Sequence, residues 1–133
     1  MIIQKDTTWS TGDVVELTSR IEIPSGVTLT IEPGVTIKGD NNDFLVGGNL
    51  LAKGTESEPI NFFNTNFHFV HGYIVNPANI EFEYVKYFSG GFLTPNGEIG
   101  SGTLNIKNSE FHDTKGFYDT GLKSTNLYAM LNL

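Results

Sequence analysis

LTIEPGVTIKG, running from Leu29 to Gly39, holds two apolar–polar–apolar triplets, Leu29–Ile31 and Val35–Ile37, on either side of a Pro-Gly turn. In an extended chain successive side chains point to opposite faces, so each triplet sends two aliphatic groups one way and a Thr the other. Strands this short are unstable alone and need partners on both sides. The same pattern recurs as IEI at 21–23, INF at 60–62, IEFEY at 80–84 and LNI at 104–106. PSG at 24–26, GDNND at 39–43, GG at 47–48 and PNG at 95–97 supply turn residues between them. Apolar residues at helical spacing are hard to find in any window free of Gly and Pro.

Spacing selects the architecture. VTI, INF, IEF and LNI begin at 35, 60, 80 and 104, so they lie 25, 20 and 24 positions apart. A repeat of this size holding two or three short strands marks a coiled solenoid. A sandwich or small barrel calls for longer strands and hairpin turns, and the one Asn-Gly is Asn96-Gly97, in a long loop. The expected fold is all-β: a single-stranded right-handed parallel β-helix of about five to six short coils. Leu29, Ile31, Val35, Ile37, Ile60, Phe62, Ile80, Phe82, Leu104 and Ile106 then form apolar columns along its axis, and Pro33 suits a corner where its missing N–H breaks no ladder bond.

IPSGVTLTIEPGVTIKG and NLLAKGTESEPINF resemble the opening coils of right-handed parallel β-helix proteins of the pectate-lyase-like superfamily. ANIEFEYVKY and GTLNIKNSEFHD resemble later coils of the same proteins. The likeness spans roughly residues 14–113 and is one of coil pattern, with no catalytic motif matched. It implies a scaffold shared by lyases, hydrolases, epimerases, adhesins and viral tail proteins, so it does not carry a function with it.

The 133 residues fit one domain. Residues 1–13 are expected to cap the first coil, with Trp9 either lying over its open core or serving as a sugar-stacking platform. Coils fill 14–123. Beyond Lys123 no charge remains, and 124–133 form an apolar strand with Leu127, Tyr128, Ala129, Met130, Leu131 and Leu133. That segment either covers the last coil, pairs with another chain to build a homo-oligomer, or continues into a longer protein.

The net charge of −7 disfavours nucleic acid and anionic membrane as partners. Zero cysteines exclude disulfide and thiolate chemistry. No apolar run approaches a membrane helix, and MIIQKDTTWS does not read as a signal peptide.

Lyases of the resembled superfamily set acidic calcium ligands and a basic residue on the outer face of a parallel sheet, where the base abstracts a proton next to the uronate carboxyl. Arg20 is the sole Arg here and lies in an early coil, which leaves Lys86 and Lys107 as substitutes. The superfamily's hydrolases carry paired Asp residues, and no Asp-Asp pair occurs. Glu81 and Glu83 form the best carboxylate constellation, two apart on one strand, outward and about 6–7 Å from each other. They suit a solvated strand face, a cation or glycoside hydrolysis, with Asn105 and Lys107 one coil later beside them. Asp40 and Asp43 in GDNND offer alternating oxygens, without the spacing of a dedicated calcium loop. GTESEP at 54–59 reads as a surface loop.

His68 and His71 fall on opposite strand faces, a poor arrangement for one metal. His112 beside Asp113 is a base with its orienter but lacks a nucleophile. Thr28, Thr30 and Thr36 do not continue into later coils, so they build no ice-binding array. Tyr73, Tyr84, Tyr87, Phe88 and Phe92 read either as core rings or as exposed rings for stacking on sugars, with Tyr84, Tyr87 and Asn105 as ligand-binding candidates.

These readings favour a non-catalytic β-helix module of a cell-surface, secreted or phage-tail-type protein. Such a module contacts polysaccharide or protein through a side face and requires no cofactor, with calcium an optional ion. The alternatives are a carbohydrate-active enzyme, lyase or hydrolase, on Glu81, Glu83, Lys86 and Lys107, and a self-associating structural module.

Overall fold

The computed structural model describes residues 1–69, 78–93, 102–117 and 127–132. Among these there is no helix; every regular element is a strand: β1 (Thr7–Trp9), β2 (Val14–Glu16), β3 (Ile21–Ile23), β4 (Thr28–Ile31), β5 (Thr36–Lys38), β6 (Asp43–Val46), β7 (Asn49–Lys53), β8 (Ile60–Phe69), β9 (Ala78–Glu83), β10 (Val85–Leu93), β11 (Gly102–Phe117) and β12 (Leu127–Asn132). Strands pair with strands one coil away, and among the described residues every pairing is parallel. The chain is a β-solenoid of about four turns between β1 and β11.

Three ladders run along the axis. The first stacks β1, β4, β7, β9 and the start of β11. The second stacks β2, β5, the first half of β8, the first half of β10, the middle of β11 and then β12. The third stacks β3, β6 and the second halves of β8 and β10. Below it, Ile2 bridges Glu22. The short triplets are stable because each finds backbone partners in the coils before and after it, which no isolated three-residue strand has.

Inward side chains from the three ladders meet in one core. All ten residues assigned to the axial columns from sequence are buried, none above 3% exposed. Leu29, Leu50, Ile80 and Leu104 stack in one column; Ile31, Ala52, Phe82 and Ile106 stack in the next. Rings fill the middle. Phe62 lies 5.4 Å from both Phe67 and Phe82, and Phe44 stacks on Phe67 at 5.1 Å. Trp9, half-buried, packs against this core 6.1 Å from Phe44.

Corners are made in two ways. Glu32-Pro33-Gly34 separates β4 from β5, with Gly34 at φ +81°, a conformation that costs a glycine little. Later coils turn on a single residue in the left-handed region. Tyr84 (φ 49°) and Asn108 (φ 49°) separate the first ladder from the second; Asn64 (φ 52°) and Ser89 (φ 57°) separate the second from the third. Each such residue resets the pleat. In β8, Phe62 points in and Phe63 out; Asn64 turns the chain, and Thr65 and Phe67 point in again. The same sequence of directions runs through Tyr87, Phe88, Ser89 and Gly90 in β10.

Of the two readings open for Tyr87, core ring or exposed ring, the structure gives the first. It is fully buried, and its hydroxyl donates to the Thr65 carbonyl. The bend at Tyr84 shifts the alternation by one position, so Val85 and Tyr87 face the core while Lys86 and Phe88 face solvent.

Candidate functional site

Outward residues also fall into columns, because strands in register place like positions one above another, about 4.8 Å apart. On the first ladder, Thr30, Leu51, Glu81 and Asn105 form one column, and Lys53, Glu83 and Lys107 form the next. The structure thus brings Glu81, Glu83, Asn105 and Lys107 together around a recess of about 50 Å³, with Lys53 on its rim. Glu81 is already engaged. Asn79 Nδ2 donates to Glu81 Oε2 at 3.1 Å, and Lys53 Nζ lies 3.9 Å from Oε1. Glu83 sits between two cations along its ladder, Lys53 and Lys107. Alternating charge of this kind holds strand register and adds little stability at exposed positions. The recess is far smaller than a typical ligand pocket.

Lys86 is not part of this group. It stands on the second ladder, where its Nζ lies 3.6 Å from Glu110. Tyr84 occupies the bend between the two faces.

Asp40 and Asp43 are also separated in role. Asp43 Oδ2 is 3.3 Å from Arg20 and 3.4 Å from His68 Nε2 on the third ladder. Asp40 projects from the corner after β5, where it is exposed, with φ 50°. Among the described residues no three His, Asp or Glu side chains converge as metal ligands would.

The second ladder holds an arrangement that residue-by-residue reading missed. Lys38, Phe63, Phe88 and His112 share one outward column. Phe63 and Phe88 stack at 4.9 Å with planes 8° apart, and Phe88 and His112 stack at 4.9 Å and 11°. Phe63 is 37% exposed, large for an aromatic residue in a column whose earlier members are Glu16 and Lys38. Those two form an ion pair at 3.8 Å. Beside them opens a hollow of about 550 Å³, lined by Glu16, Thr18, Lys38, Asp40, Phe63 and Asn64 among others. The signal was in the numbering: 63, 88 and 112 are separated by the coil repeat itself.

His71, Tyr73 and residues 118–126 lie outside the described residues, as do the side chains of Phe92 and Asp113. No described helix is long and apolar enough to cross a membrane. Comparison with protein-family models, with curated proteins and with solved structures finds no match for this chain.

Proposed function

We propose that this chain is a non-catalytic β-helix module of a surface, secreted or phage-tail-type protein, and that it binds glycan through a side face of the solenoid. The observation that carries this reading is the outward Phe63–Phe88–His112 column beside an open hollow of mixed apolar and polar lining. Rings held at solvent positions lose apolar hydration only when a partner covers them. The acidic candidates support the same choice from the other side. Glu81 is held by Asn79 and Lys53, Glu83 is flanked by cations, and their recess is too small for a sugar ring. A right-handed coil of the pectate-lyase-like kind belongs to this proposal. Its support is the coil resemblance and the rule that crossovers between parallel strands of one sheet are right-handed.

A glycan array, run with reducing-sugar and unsaturated-uronate assays in the presence and absence of calcium, tests the reading. Binding without turnover is expected. Turnover that disappears in Glu81→Gln would replace the module with a carbohydrate-active enzyme.

A further inference from the structure

We propose that copies of this chain stack head to tail along the solenoid axis, β12 of one copy pairing with β2 of the next. The proposal is independent of the glycan reading and leaves the side faces of the solenoid free.

One end of the molecule presents open strand edges. Among the described residues β1 pairs only with β4, and β2 only with β5. A strand in a parallel ladder directs its backbone groups to both sides, so the far edge of β2 offers N–H and C=O groups to a further strand. Three of the four large apolar residues left exposed among the described residues lie at this end: Met1 (64%), Ile2 (55%) and Val14 (60%). A hollow of about 600 Å³ lined by Met1, Ile2, Ile3, Lys5, Thr7 and Trp9, among others, opens beside them. At the other end of the second ladder lies β12, whose sequence LYAMLN carries no charge and whose described partner is β11.

Register makes a second copy of the chain the fitting partner. The outward column that starts at Val14 continues through Thr36, Asn61, Lys86 and Glu110 and reaches Met130. Its four middle members are polar and its two ends are apolar, the pattern expected where the ends meet each other rather than water. The core column beside it runs Val15, Ile37, Phe62, Tyr87, Phe111 and Leu131. Val15 is half-buried, whereas Ile37, Phe62, Tyr87 and Phe111 are fully buried. Translating one copy along the axis sets Met130 in register with Val14 and Leu131 with Val15, which continues both columns with apolar on apolar. Asn132 then falls in register with Glu16, where no like charge opposes it.

The step in the coil agrees. The chain visits the ladders in the order first, second, third. The lowest described level is Ile2, which bridges Glu22 under the third ladder; β1 and β2 follow on the first and second. At the far end β12 stands on the second ladder, so the next place in the order is on the third. Ile2 of a following copy takes that place, above the last stretch of β11, which pairs there with β10. The two end surfaces are complementary steps, and every new pairing is parallel like those within the chain. A contact between unlike surfaces related by translation does not close on itself, so the product is an open rod whose length rises with concentration.

Sedimentation velocity on the full chain over a range of concentrations tests this. The mass is expected to rise in whole-chain steps. Val14→Lys and Met130→Lys, each alone, are expected to weaken association by about tenfold or more, because a charge at either edge is left facing an apolar position. Mixed in equal amounts the two variants are expected to form a two-chain species, since one keeps an intact β12 and the other an intact β2; its formation also shows that both variants fold. Asn61→Lys adds the same charge in the middle of the column and is expected to leave association unchanged. Amides of β2 are expected to exchange more slowly as concentration rises. A mass that stays at one chain throughout would overturn the proposal. So would association that survives Val14→Lys, the absence of the mixed species, or equal loss in Asn61→Lys, which would make net charge the cause.

Discussion

Gly90 shows how tightly the later coils are built. Its φ is +136°, and a Cβ there would overlap the Thr65 carbonyl oxygen and the Tyr87 hydroxyl. Those two groups form the buried hydrogen bond that satisfies Tyr87. Gly90→Ala is therefore expected to lower stability by about 3 kcal/mol or more, read from urea denaturation, because backbone strain and a broken buried hydrogen bond act together. Thr65 offers the opposite case. It is fully buried, and its hydroxyl has no hydrogen-bond partner among the described residues. Thr65→Val keeps the shape and removes an unsatisfied polar group, so it should raise stability by about 1 kcal/mol in the same measurement. Neither residue announces its role in the sequence. A glycine between Ser89 and Gly91 reads as a turn, and its contact with a residue 25 positions earlier exists only once the coils stack.

At the scale of the element, the single-residue corners explain both what was legible and what the sequence left open. An alternation carried straight through IEFEYVKYF puts Tyr87 outside; the left-handed residue at Tyr84 consumes one position and turns it inside. Ile60, Phe62, Leu104 and Ile106 were assigned correctly because each lies before its bend. Asn at such a bend tolerates φ > 0 better than a residue whose Cβ crowds the carbonyl without local hydrogen bonding. Asn108→Ala should thus cost about 1 kcal/mol in thermal unfolding, while Asn108→Gly should stay within about 0.5 kcal/mol of the parent. The core between the bends depends on Phe62, which meets rings from three coils: Phe44, Phe67, Phe82 and Tyr87. Phe62→Ala is expected to cost about 3–5 kcal/mol, since coils held in register on all sides cannot collapse into the space left behind. Removing an exposed ladder charge, as in Lys86→Met, should change stability by less than about 1 kcal/mol.

Across the whole molecule, each coil contacts chiefly its neighbours, so stability follows position along the axis. β7 is paired on both sides, by β4 and β9, whereas β1 is paired only by β4 among the described residues. Hydrogen exchange should therefore be slowest in the amides of β7 and the first half of β8 and markedly faster in β1 and β2. Uniform protection from one end to the other would contradict this one-dimensional picture.

The repeat of apolar triplets was enough to establish an all-β parallel solenoid and its axial columns, because period two chooses the inward face and a spacing of 20 to 25 residues chooses stacking over hairpins. Which outward residues become neighbours was settled by stacking in three dimensions. Lys53 joins Glu81, and Phe63, Phe88 and His112 become one column, only when coils of unequal length come into register. A strand's own sequence specifies which way a side chain points; what stands 4.8 Å above it depends on the length and corners of the whole intervening coil.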